Sequence, residues 1–72
     1  MPTEHSVTAR QKEILWWARK GLTDKAIARR LGIAKPTVSH HMSEILVRLQ
    51  CANRAEACAK ATRLRLLPSE EG

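Results

Sequence analysis

Tyrosine and phenylalanine are absent from this 72-residue chain, and Trp16 and Trp17 are the only residues of the Phe, Trp and Tyr class. A surface that stacks unpaired bases on rings needs more of them, so single-strand nucleic-acid binding is set aside. Long apolar runs are also missing. The longest, Ile14 to Ala18, is far short of the ~20 residues a membrane-spanning helix requires. No secretory signal pattern is found, and the cysteines are Cys51 and Cys58 alone; thiols in a chain that is not exported stay reduced. A cytoplasmic protein is expected. Acidic residues are scarce: seven Asp and Glu stand against thirteen Lys and Arg, a formal charge of +6. That imbalance predicts an anionic partner. The charge is concentrated in the middle, where Glu13, Asp24 and Glu44 are the only acids between Arg10 and Arg54, and Glu70 and Glu71 offset it at the tail.

The chemistry of catalysis is missing too. There is no paired-carboxylate arrangement, no Ser-His-Asp set and no glycine-rich phosphate loop, so the chain is not expected to be an enzyme. His40, His41, Cys51 and Cys58 do not read as a zinc site, because adjacent helical residues point about 100° apart and the cysteines lack finger spacing. No metal or cofactor is expected. A chain this short forms one domain and buries only about 60% of its unfolded surface, which suits a small binding module.

Four helices are legible. Residues 1–7 lack periodicity and read as a flexible lead-in. Thr8 is an N-cap with Gln11 three residues on, the capping-box pattern. Ile14, Trp17 and Ala18 then make an apolar face on a helix running to about Lys20, which Gly21 stops. Thr23 and Asp24 open a second helix, with Ile27, Ala28 and Leu31 inward and Gly32 at its end. A third helix starts near Lys35, with Pro36 in the first turn. Val38, Met42, Ile45 and Leu49 form its inner stripe. Asn53 and Glu56 open a fourth helix whose inner face is Ala57, Ala61 and Leu64 and which ends before Pro68. Residues 68–72 are a polar tail, leaving residues 8–67 as the folded domain. The fold class is all-α.

Ala28, Gly32 and Val38 mark a helix-turn-helix. A small Ala lets two helices approach, a Gly allows the sharp turn, and an apolar Val locks the second helix on the first. Such a pair presents one outer face to a major groove.

Four stretches extend this pattern: Thr8-Ala-Arg-Gln-Lys-Glu-Ile-Leu, Gly21-Leu-Thr-Asp-Lys-Ala-Ile-Ala, Leu31-Gly-Ile-Ala-Lys-Pro-Thr-Val-Ser-His-His and Asn53-Arg-Ala-Glu-Ala. Together they resemble the LuxR/GerE-type helix-turn-helix domain of bacterial transcription regulators, from about Val7 to Leu67. The resemblance implies a four-helix domain that binds double-stranded DNA. There are departures. Ala26 stands where the family usually has Glu, and Ala34 where it often has Ser, which weakens local polar support. Ser39 stands where Lys commonly follows Thr-Val. Gln50 replaces a frequent Gly, so a differently shaped end of the third helix is expected.

On a helical wheel that turns about 100° per residue, Ser39, His40, Ser43 and Val47 all fall away from Val38 and its inner stripe. These form the groove-facing set, and the resemblance implies base contacts for the positions of Ser39, His40 and Ser43. Ser accepts or donates, His reads a guanine acceptor, and Val touches a thymine methyl. Lys25, Lys35, Thr37, His41 and Arg48 flank them as phosphate candidates. On the same wheel His41 comes back beside the core and is equally readable as a packing residue. Arg54 and Glu13 match family positions that are more often structural.

The alanine-rich fourth helix permits close approach of another helix, and the resemblance implies a homodimer there; with Ala57, Ala61 and Leu64 turned inward, Cys58, Thr62 and Arg65 are left as the candidate contacts, and a two-fold pair predicts an inverted repeat as the target. Trp16 points away from Ile14 and reads either as a protein contact or as a ring lying on aliphatic stems. The rival reading is a protein-interaction module on the same scaffold, an anti-regulator that pairs with a full-length relative through its last helix and binds DNA weakly or not at all. A sigma-factor promoter-reading segment is disfavoured by Asn53-Arg-Ala-Glu-Ala.

Overall fold

The computed structural model describes residues 7–67; the lead-in as far as Ser6 and the tail from Pro68 lie outside the described residues. Helices α1 (Ala9–Arg19), α2 (Asp24–Leu31), α3 (Lys35–Leu49) and α4 (Arg54–Arg63) follow one another, and no strand occurs among the described residues. Three helices begin on the caps that the sequence predicts. The Gln11 amide donates to Thr8 Oγ1, and the Thr8 amide donates to Gln11 Oε1, each at 3.1 Å, so each residue's side-chain oxygen satisfies the other's otherwise unpaired N–H. Ala26 N donates to Thr23 Oγ1 at 3.1 Å, and Glu56 N to Asn53 Oδ1 at 2.9 Å. α3 is different: Ala34 caps it with no side-chain bond, and Pro36 fills the first turn.

All four helices close in one way. Gly21, Gly32, Gln50 and Arg65 take φ of 96°, 72°, 57° and 62°. The amide of the following residue then bonds back into the last turn: Leu22 to the Trp17 carbonyl at 3.1 Å, Ile33 to Ala28 at 3.0 Å, Cys51 to Leu46 at 2.9 Å and Leu66 to Ala61 at 2.8 Å. This is the left-handed closure that satisfies orphan carbonyls. Each of those following residues is apolar and packs against the core. The expected change of shape at Gln50 does not occur. Gln50 adopts the conformation a glycine would, and a side chain there costs about 1–2 kcal/mol.

The core consists of Ile14, Leu15, Ile27, Val38, Ile45, Leu49, Ala57 and Ala61, fully covered, with Ala28, Met42 and Leu67 nearly so. The α3 stripe is the expected one, and α1 is not. Its inward positions are Gln11, Ile14 and Leu15, flanked by half-buried Ala18. Trp17 is only half-buried and carries the Arg30 guanidinium 4.3 Å from its ring. The stripe is rotated because the polar Gln11 belongs to it, which a purely hydrophobic pattern cannot reveal. Trp16 is half-buried as well, with the Lys20 ammonium 4.7 Å from its ring. α4 stops at Arg63, leaving Leu64 at the cap; after the turn at Arg65, Leu67 supplies the buried leucine instead. Val7, grouped with the lead-in by sequence, packs on the core.

Two substitutions test these helix ends. Ala34→Ser supplies the missing cap of α3 and is expected to raise stability by about 1 kcal/mol. Gln50→Gly relieves the positive φ, less the entropy of a freer unfolded chain, for a net gain of about 0.5–1 kcal/mol. Thermal melts should move up by roughly 4–8 °C per kcal/mol in a domain of this size.

Candidate nucleic-acid interface

α3 buries Val38, Met42, Ile45 and Leu49, so at about 100° per residue its opposite side carries His40, Ser43 and Val47. His40 is 71% exposed and Val47 is 76% exposed, and Ser43 is exposed too. Val47 is the one exposed large hydrophobic residue among the described residues. Water surrounding it gives it nothing, whereas an apolar group on a partner would. Ser43, Glu44, Val47 and Arg48 line a shallow concavity on this side.

Ser39 sits at the edge of that face, half-buried. Its hydroxyl donates to Asp24 Oδ2 at 2.9 Å. Asp24, in the first turn of α2, is also gripped by the Arg54 guanidinium on its other oxygen, and Arg54 Nη1 donates to the Leu22 carbonyl at 3.4 Å. Three elements, α4, α2 and α3, therefore meet in one chain of polar contacts. Arg54 is engaged within the fold, in keeping with a structural position.

A second set of ties joins α1 to α3. Gln11 is 1% exposed; its Nε2 donates to Glu44 Oε1 at 3.0 Å and lies 3.5 Å from His41 Nδ1. Glu44 Oε2 is 3.4 Å from His40 Nε2. His41 is thus placed in the α1–α3 seam, half-buried, rather than out among the exposed cations. No motif in the sequence marks Glu44 or Gln11 as part of the site. They lie 33 positions apart in the chain, and no local pattern links them; the only local signal, Gln11 opposite Thr8, concerns the helix start.

Lys25, Lys35, Thr37 and Arg48 are all exposed, Lys25 and Lys35 in the first turns of α2 and α3. Positive side chains at those places lie beside amides that also favour an anion.

The outer side of α4 differs from the expectation. The Cys58 thiol points to the Leu15 carbonyl of α1, 3.8 Å away. Burial pushes that thiol above its ordinary pKa, against the lowering pull of Arg54 and Arg19, so it is a sluggish nucleophile. Thr62 Oγ1 donates to the Cys58 carbonyl at 2.9 Å, and Arg65 lies beyond the helix end. The exposed positions of α4 are Ala55, Glu56, Ala59 and Arg63. Trp16 and Trp17 line a cleft of about 350 Å³ with Leu66 and Leu67. No helix among the described residues is long and apolar enough to cross a membrane.

Residues 5–61 match the family described as bacterial regulatory proteins, luxR family. The chain is 34% identical over 62 residues to the transcriptional activator protein SolR of Ralstonia nicotianae, covering 86% of this chain and 26% of SolR. It is 37% identical over 65 residues to the HTH-type quorum sensing-dependent transcriptional regulator VjbR of Brucella ovis, covering 90% of this chain and 25% of that protein. It is also 37% identical over 57 residues to the transcriptional activator protein AhyR of Aeromonas hydrophila, covering 79% of this chain and 22% of AhyR. The chain spans about a quarter of the length of these curated relatives.

The Gln11 tie is directly testable. Gln11→Ala removes one half of the reciprocal cap and leaves Glu44 and His41 without their buried donor, which is expected to destabilise the fold by about 2 kcal/mol. Gln11→Glu keeps the acceptor for the Thr8 amide but sets a carboxylate against Glu44. Chemical denaturation should rank wild type above both variants, and a wild-type midpoint for Gln11→Glu would show that the Gln11–Glu44 contact contributes nothing.

Proposed function

The chain belongs to the luxR family of bacterial regulatory proteins, and from that membership together with the open side of α3 we propose that it binds double-stranded DNA sequence-specifically as the reading module of a transcription regulator. The carrying observation is the exposed His40, Ser43 and Val47 on the side of α3 opposite its buried stripe, flanked by exposed Lys25, Lys35 and Arg48. α3 lies in the major groove with Ser39, His40, Ser43 and Val47 toward base edges. Lys25, Lys35, Thr37 and Arg48 take phosphates, and His41 helps hold α3 on α1. The reading side chains are short, so groove shape and bridging water carry part of the specificity. The names of SolR and AhyR as transcriptional activators, and of VjbR as a transcriptional regulator, support a regulatory role; a module that reads bacterial DNA works in the cytoplasm, where that DNA lies.

Two copies pair through α4. Of the contacts expected there, Cys58 is turned inward and Thr62 is half-buried, so the closest approach falls on exposed Ala55 and Ala59, with Arg65 at the margin. Such a dimer sets two α3 helices about 34 Å apart, one turn of an inverted repeat.

Titration against duplex DNA at several salt concentrations tests this reading. Affinity should fall with a log–log slope of about −0.9 per phosphate neutralised. Lys35→Ala should weaken binding to all duplexes alike and flatten the slope by about one phosphate's share, whereas Ser43→Ala and Val47→Ala should alter which duplexes are preferred. Negligible binding to every duplex would instead favour an interaction module that pairs with a relative. Sedimentation of a monomer both free and on a palindromic duplex would remove the dimer.

A further inference from the structure

We propose that Ser39 contacts its base as a hydrogen-bond acceptor only, because Asp24, held by Arg54, takes the single hydroxyl proton and so dictates which base Ser39 selects. The inference rests on the DNA-binding reading above and deepens it by naming the chemistry recognised at one position.

A serine hydroxyl has one proton and two lone pairs. Free in a groove, it would turn to donate or accept and would discriminate little. Here the proton is directed at Asp24 Oδ2, 2.9 Å away, and a carboxylate offers it nothing but an acceptor. Asp24 cannot swing aside without leaving the Arg54 guanidinium, which is itself directed at the Leu22 carbonyl. Ser39 is half-buried at the margin of the exposed side of α3, so the oxygen's outward capacity is its lone pairs. In the major groove the groups that donate to such an oxygen are the exocyclic amines, adenine N6 and cytosine N4; guanine and thymine present O6, N7 and O4 as acceptors. Phosphate oxygens also have no proton to give, so a lone-pair-only Ser39 beside Asp24 is poorly suited to the DNA backbone. The position therefore favours adenine or cytosine on the strand it faces.

Site selection from a random duplex pool, run with wild type and Ser39→Ala, tests the proposal. Wild type should yield a consensus in which one position per half-site is adenine or cytosine, and Ser39→Ala should lose preference there while keeping the rest. In duplexes whose base at that position lacks the amine, purine for adenine or 2-pyrimidinone for cytosine, wild type should bind about fivefold more weakly and Ser39→Ala should be indifferent. Asp24→Asn can donate an amide proton to Ser39 and free the hydroxyl proton, so its preference should move to guanine or thymine. If circular dichroism shows Asp24→Asn unfolded, the amine-deleted duplexes decide alone. A wild-type consensus that Ser39→Ala leaves unchanged, or a Ser39-dependent position that selects guanine or thymine, overturns the proposal while leaving DNA binding intact. Enrichment of no duplex by wild type would overturn the DNA-binding reading and this inference together.

Discussion

The left-handed residue at the end of α2 is the constraint on which the rest depends. Gly32 reverses the chain so that the Ile33 amide bonds back to the Ala28 carbonyl and the Ile33 side chain packs inward. Only Ala34 then remains before α3 begins. With so short a connection, the crossing of the two helices is decided by the apolar residues on each side of it: Ile27 and Ala28 from α2, Val38 and Met42 from α3. Burying each of the larger side chains contributes roughly 1.5–3 kcal/mol, much more than any polar contact near the surface. The direction in which α3 presents its bare side is thus a by-product of core packing.

Polar contacts add orientation rather than bulk stability. The Arg54–Asp24 pair has side chains 37% and 22% exposed, and partly exposed pairs contribute at most about 1 kcal/mol once screening is allowed for. What they accomplish is to remove freedom. Arg54 is the first residue of α4 and Asp24 the first of α2, so one guanidinium connects the start of the proposed pairing helix to the side chain that binds Ser39. On the other flank Gln11, fully enclosed, holds Glu44 and His41. Two of the three acids in the basic middle of the chain, Asp24 and Glu44, are therefore occupied by partners within the fold. Their negative charge is directed partly inward, which leaves the exposed lysines to set the field met by an approaching polyanion. That field falls off over about 8–10 Å at physiological salt, a distance that Lys25 and Lys35, in the first turns of neighbouring helices, are well placed to cover.

The same closure recurs at all four helix ends, but glycine marks only two of them. At Gln50 and Arg65 the chain accepts a left-handed conformation without glycine, because Cys51 and Leu66 gain core contacts immediately afterwards. Packing overrides the local steric preference there. A departure from a family's usual residue at such a place changes stability more readily than shape.

The sequence by itself determined the number of helices, three of their four starting caps, the two glycine stops, the α3 stripe of Val38, Met42, Ile45 and Leu49, and hence which side of α3 is bare. These are local properties: a cap is read within four residues and a helical stripe within a dozen, so their energetics need no knowledge of distant chain. Tertiary structure alone decided that Leu15 rather than Trp17 is buried, that Leu67 replaces Leu64, that Cys58 faces α1, and that Ser39 and Glu44 are held by Asp24 and Gln11. Each of these depends on groups brought together across the fold, 15 positions apart for Ser39 and Asp24 and 43 for Cys58 and Leu15. Periodicity can say that a side chain points inward or outward, but which polar atom waits for it there is set by how the helices cross.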